Sequence, residues 1–252
     1  MNARPSEVPT PPSHESHPSH ESHPSHASHG CAPAPRETLA AIAAAAPQGQ
    51  LLRRRQVRET LRSVWRVGAH LVKAFEYPEG AKPHSRPWER ERAALLRLYG
   101  EKAEAETAIF ERTEGGMHRV CFVRPFVDGA AVETFAREEM PAVAALMADL
   151  HARGVVTDDA NAGNFLRTPD GRLVFMDFGR ARLYRTQAPA WMAGKEIAKL
   201  YREGFAYDAP SCRLFWRAYL SSARPAPLRR LLLALSVHTA ILFRNLRKGR
   251  GR

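Results

Sequence analysis

The stretch LHARGVVTDDANAGNFLRTPDGRLVFMDFGRAR, Leu150 to Arg182, decides how this chain is read. Asp159 and Asn164 stand five positions apart, in the pattern D-x-x-x-x-N. Thirteen residues after Asn164 comes Asp177-Phe178-Gly179, preceded by the apolar run Leu173-Val174-Phe175-Met176. That run predicts a short strand with a carboxylate at its end, and a second short strand is expected at Phe165. Upstream, His70-Leu71-Val72-Lys73 closes an apolar stretch, and Glu91 follows Lys73 by eighteen residues. The chain holds only six lysines against thirty-two arginines, so a lysine at this strand position is a selective feature.

Working outward, strands are expected at Leu51–Val57 and Ser63–Phe75, then a helix from Trp88 to Tyr99. Trp88, Leu95 and Leu98 share one face of that helix, and Glu91 falls on the same side. Two more strands, Thr107–Arg112 and His118–Val127, join at a Gly115-Gly116 turn. Beyond them the pattern is helical at Glu139–Arg153, Ala190–Gly204, Pro210–Ser221 and Pro227–Arg247. A strand-rich first half followed by a helical second half gives an α+β, two-lobe layout. The division expected is a disordered tail over 1–36, a first lobe over 37–127, a second lobe over 128–246 and a basic tail over 247–252.

Over roughly residues 50–210 these parts resemble the protein-kinase-like phosphotransferases, in the same order and at familiar intervals. The resemblance implies a bilobal kinase-like fold that uses ATP and Mg²⁺. Phosphoryl transfer depends on charge neutralisation and in-line positioning more than on covalent chemistry. Asp177 and Asn164 then supply hard oxygens for Mg²⁺. Lys73 is the point charge for the nucleotide phosphates, and Glu91 holds it. Asp159 accepts the proton of the attacking hydroxyl, and Phe126 and Val127 line the nucleotide site. Glu89 is the alternative partner of Lys73, and Asp158 the alternative base. The five-residue interval to Asn164 favours Asp159.

Several features depart from the ordinary protein-kinase pattern. Thr157-Asp158-Asp159 stands where His-Arg-Asp is usual, so the arginine that reads a phosphorylated loop is replaced by Asp158. Asn161 replaces the lysine two positions after the base, and Arg180 or Arg182 is the expected substitute. The loop Gln56-Val57-Arg58-Glu59-Thr60, where nucleotide phosphates are usually covered, has no glycine. Only 73 residues follow Gly179, which leaves little room for a peptide-binding platform.

The compact form is similar to the bacterial lipopolysaccharide-core sugar kinases, the Kdo and heptose kinase group. The similarity lies in Leu150-His151-Ala152-Arg153-Gly154-Val155 with Asp159, in Gly163-Asn164-Phe165, and in Lys195-Glu196-Ile197-Ala198-Lys199-Leu200-Tyr201-Arg202. It implies ATP-dependent phosphorylation of a sugar hydroxyl on a glycolipid at the cytoplasmic membrane face. A protein Ser/Thr kinase, a small-molecule kinase and a pseudokinase binding module are the alternatives on the same fold.

Composition narrows the partners. The formal net charge is +12, and the 44% hydrophobic content suffices for a packed core. Three well-separated cysteines match neither a disulfide framework nor a zinc site. No helix-turn-helix, zinc-finger or aromatic RNA motif is visible, so nucleic acid is not expected as a partner. No apolar run occupies the first 35 residues, so no secretory leader is expected and a cytoplasmic setting is. The tandem PSHESH, PSHESH, PSHASH over residues 12–29 is too polar to bury a core. From Arg224 onward there are eight Lys/Arg and no Asp/Glu, interleaved with leucines, which suits an anionic membrane surface.

Overall fold

An antiparallel sheet with helices on its two faces makes the first half of the molecule. The computed structural model describes residues 35–81 and 85–249. Strands β1 (Gln50–Val57), β2 (Thr60–Val67) and β3 (His70–Pro78) run as successive hairpins. Helices α2 (Pro87–Tyr99) and α3 (Glu101–Glu106) follow, then β4 (Ala108–Glu114) and β5 (Met117–Pro125). Together they make an antiparallel five-stranded sheet in the order β1-β2-β3-β5-β4.

Along β3, Val72 and Ala74 point to one face, where helix α1 (Arg36–Ala44) lays Leu39 and Ala43 against them. Phe75 and Tyr77 point to the other, where Trp88 of α2 packs with Val120 and Phe122 of β5. Lys73 belongs to this second set by parity and therefore faces α2. Arg124, two residues beyond Phe122 on β5, shares the same face.

The single expected strand Ser63–Phe75 is two strands. Its apolar pattern runs through without a break, yet Gly68 adopts φ 59° and turns the chain so that Val67 pairs with His70. Only the glycine marks this hairpin. The glycine-free loop is equally tight: Val57 pairs with Thr60 around Arg58-Glu59, and Arg58 sits at φ 53°. Helices α1 and α3 were not among the expected elements. Both are short, and α1 owes its place to burial of Leu39 and Ala43 on the sheet rather than to its composition.

A connection through β6 (Ala130–Ala131) leads to the helical half. Helix α4 (Met140–Ala152) packs on α6 (Ala209–Ala223), and α5 (Ala190–Glu203) packs on α7 (Pro227–Gly249). Val143, Met147, Ile197, Leu200, Phe215, Tyr219 and Leu233 form one buried core. At Gly194 a Cβ would come 2.5 Å from Ser236 Cβ, so α5 and α7 approach at glycine distance. Between α4 and α5 run β7 (Val155–Val156), β8 (Phe165–Arg167), β9 (Leu173–Phe175) and β10 (Arg182–Leu183). The last helix runs to Gly249, beyond the Arg247 expected. The histidine repeat, Pro83 and residues 250–252 lie outside the described residues. Among the described residues, no helix is long and apolar enough to cross a membrane.

Candidate active site

The site assembles around one short hairpin. Phe165 on β8 pairs with Phe175 on β9, their ring centroids 5.1 Å apart. Phe178 adds to the same row at 5.1 Å from Phe175 and is buried. This aromatic row fixes the two ends of the hairpin. Asn164 immediately precedes β8, Asp177 follows β9 by two residues, and the Met176 N–H donates to the Asn164 carbonyl at 2.9 Å. Thirteen residues of separation thus close into neighbouring positions.

Lys73 meets this hairpin from the sheet. Its Nζ lies 2.6 Å from Glu91 Oε2 and 3.4 Å from Asp177 Oδ1. Glu91 is buried, whereas the alternative Glu89 pairs with Arg86 at 2.9 Å on the surface. A second cation supports Glu91: Arg124 Nε is 3.2 Å from Glu91 Oε1, and its guanidinium also donates to the Met176 carbonyl at 3.3 Å. Sequence reading missed Arg124, although counting alternate residues from Phe122 places it on the face of Lys73. Partly buried Lys73 and buried Arg124, both on buried Glu91, keep the charge of α2 matched to the sheet.

Asp177 keeps a side-chain exposure of 52%, with its Oδ1 held by Lys73 and by the Gly179 N–H at 3.1 Å. Partial burial pushes its carboxyl up, but the Lys73 ammonium and the Gly179 N–H outweigh that and hold it below the usual aspartate value. Asn164 spends its Nδ2 on the Asp159 carbonyl at 2.7 Å, which leaves its side-chain oxygen as an acceptor. The donor set is therefore one ionised carboxylate and one amide oxygen, hard ligands of the number Mg²⁺ takes from protein when phosphates complete its shell. The residues fit that ion.

Asp159 is set by contacts that the sequence does not display. Lys199 Nζ lies 2.5 Å from Asp159 Oδ1, and Arg180 stands 3.8 Å from the same oxygen. Arg182, the other expected substitute for the missing loop lysine, instead pairs with Asp158 at 3.1 Å. Pairing of β10 with β7 carries Arg182 past Asp158 rather than toward Asp159. Asp158 itself takes φ 57°, a left-handed conformation that aspartate tolerates.

Buried Glu196 holds this loop in place. Its Oε1 accepts from the Asp158 N–H at 2.8 Å and from the Thr157 hydroxyl. Its Oε2 accepts from the Thr157 N–H at 3.2 Å and from His151 at 2.9 Å. His151 Nδ1 faces the Tyr219 hydroxyl at 2.8 Å. Both ring nitrogens of His151 thus have a partner, Glu196 at Nε2 and Tyr219 at Nδ1. Gly154, at φ 76°, lets the chain pass: a Cβ there would fall 2.0 Å from the Thr186 carbonyl. Glu196 and Lys199 share α5 with Lys195, Arg202 and Glu203, so charge alone does not single them out, although Lys199 is one of only six lysines.

Phe126 and Val127 lie in the segment that leaves β5, both half-buried. The Phe126 N–H is committed to the Ala69 carbonyl at 2.9 Å, and Arg66 stacks over its ring at 4.2 Å. Phe126 can offer a nucleotide its ring and carbonyl, but not its N–H.

The strand-rich sheet, the helical half and the constellation between them define a protein-kinase-like bilobal fold. No family model and no curated protein matches the chain. Among solved structures, WbdD in complex with the kinase inhibitor LY294002 is similar at 12% identity, with a TM-score of 0.41. The match covers 70% of this chain and 48% of that one, so the chain spans about half the length of that structure.

Proposed function

We propose that the protein is an ATP-dependent phosphotransferase acting on a sugar hydroxyl of a lipopolysaccharide core. The observation that supports catalysis best is Lys73 held between Glu91 and Asp177, at 2.6 and 3.4 Å. Asn164 and Asp177 would hold Mg²⁺ together with ATP, and the ion would supply positive charge against the phosphates. Lys73 adds a fixed positive charge beside them. The acceptor oxygen attacks the γ-phosphorus, the bond to the β-phosphate oxygen breaks, and ADP leaves. The hydroxyl proton passes to Asp159. Its Oδ1 already receives Lys199 and Arg180, so Oδ2 is the oxygen open to the substrate.

The sugar acceptor is supported by the short segment from Gly179 to α5, which leaves no broad peptide platform. An anionic membrane surface is the partner we propose for α7. Leu228, Leu232, Leu235, Leu242 and Leu246 recur at helical spacing and are each about half exposed or more, on the side opposite buried Leu233 and Val237. No acidic residue follows Arg224. Transfer of labelled phosphate from ATP to purified core glycolipid, to casein and to a sugar panel, run side by side, tests the reading. Transfer to casein alone overturns the sugar acceptor. No transfer and no ATP binding overturns the enzyme.

A further inference from the structure

A pocket on α5 borders the constellation. It has a volume of about 270 Å³ and is lined by Asp158, Arg182, Trp191, Lys195 and Lys199, among others. Lys199 lines the pocket and also holds Oδ1 of Asp159, and Asp158 lines it beside Asp159 in the chain, so the pocket adjoins the carboxylate assigned as base. Trp191, in the first turn of α5, leaves 52% of its surface exposed. Lys195 follows one turn later, its ammonium 4.7 Å from the Trp191 ring centroid. Among the described residues Lys195 has no carboxylate within ion-pair distance, whereas Arg182 is paired with Asp158 and Lys199 with Asp159.

A contrasting hollow shows what an unassigned concavity looks like in this protein. It has about 280 Å³ and lies on the sheet among Glu76, Arg112, Glu114, Met117 and Arg119. There the cations are neutralised locally, Arg119 by Glu76 at 3.4 Å and Arg112 by Glu114 at 3.6 Å, and no wide aromatic face is offered. The pocket on α5 differs on both counts. An exposed indole is a platform for the apolar face of a sugar ring, and the Lys195 ammonium over the same ring offers a charge to a negative substituent. Its volume lies just below the range of about 300–1,000 Å³ typical of drug-sized sites, which suits a single monosaccharide.

We infer that this pocket is the acceptor subsite, taking an anionic sugar whose ring rests on Trp191 and whose carboxylate or phosphate meets Lys195. The inference rests on the phosphotransferase reading only for the identity of the bound sugar as acceptor. Binding itself is independent of ATP.

Two measurements separate the two claims. Ligand-observed NMR and tryptophan fluorescence follow titration of the full chain with glucose, glucuronate and glucose 6-phosphate, without nucleotide. Mg·ATP affinity is measured separately. The expected result is at least tenfold tighter binding of one or both anionic sugars than of glucose. Trp191→Ala removes binding of all three, and Lys195→Ala erases the preference for the anion. Both variants keep the wild-type Mg·ATP affinity. Trp191 is half exposed, and Trp191→Phe, which keeps a ring face, restores part of the binding. Preference for glucuronate alone assigns a carboxylate to Lys195, and preference for glucose 6-phosphate alone assigns a phosphate. Equal binding of all three sugars, or anionic binding untouched by either variant, overturns the subsite and leaves the kinase reading standing. Trp191-dependent anion binding in a protein that shows no Mg·ATP affinity keeps the subsite and overturns the kinase reading.

Discussion

Lys199 Nζ on α5 lies 2.5 Å from Oδ1 of Asp159, forty residues earlier in the chain. The contact supplies the positive charge that the loop lacks at Asn161. It also fixes which carboxylate oxygen remains open. Lys199→Met is expected to lower turnover by about tenfold, roughly 1.4 kcal/mol of barrier, with little change in nucleotide affinity. Asp159→Asn is expected to lower it by about 10²–10⁴. Single-turnover phosphate transfer measures both, and wild-type turnover in the asparagine variant excludes Asp159 as the base.

The Lys73 ammonium and the Gly179 N–H hold the Asp177 carboxyl below the ordinary aspartate value against the upward push of burial. Because the folded value lies below the ordinary aspartate value of 3.8, the ionised form stabilises the fold above that value. The contribution is lost as pH falls through the lower folded value. The stability difference between wild type and Asp177→Asn should therefore stay constant from neutral pH down to the ordinary aspartate range and shrink only below it. Denaturant titrations across that window read it, and a difference that already shrinks near pH 6 contradicts the assignment. Asp177→Ala is expected to abolish Mg·ATP binding in a folded protein.

Glu196 accepts from four donors while buried. Its truncation to alanine leaves the Thr157 and Asp158 N–H groups and His151 without their acceptor. A loss of about 3–5 kcal/mol is expected, and the loop at residues 157–159 should gain amide exchange at Thr157 and Asp158. A fully stable Glu196→Ala protein would show that the loop holds itself.

Arg58 occupies a left-handed position in a two-residue turn. Relief of that conformation by glycine is worth about 1–2 kcal/mol, offset by about 0.5–1 kcal/mol for the freer unfolded chain. Arg58→Gly should raise the melting temperature by a few degrees. A lower melting temperature would mean that the arginine side chain contributes more than its backbone costs.

Helix α7 carries exposed Leu232 and Leu235 on its outer stripe. Replacing both with glutamate should weaken binding to vesicles containing phosphatidylglycerol by tenfold or more, since each buried leucine contributes about 1.5–3 kcal/mol. Sedimentation with and without such vesicles reads the change. A dimer that forms without vesicles and is lost in the variant would assign the stripe to a second copy of the chain.

Much of this was legible in the sequence because it is local. Alternation places strands, helical spacing puts Glu91 on the face of Trp88, and the five-residue and thirteen-residue intervals order Asp159, Asn164 and Asp177. The split at Gly68 was the weak point, since an apolar run reads the same on either side of a turn. What the tertiary structure alone decided is which charges meet. Lys73 reaches Asp177 across more than a hundred residues, Arg124 backs Glu91, Arg182 goes to Asp158, and Glu196 and Lys199 cross from α5 to the loop. A period in the sequence says which face a side chain is on. It carries no information about the element packed against that face, and there the partner of a buried charge is chosen.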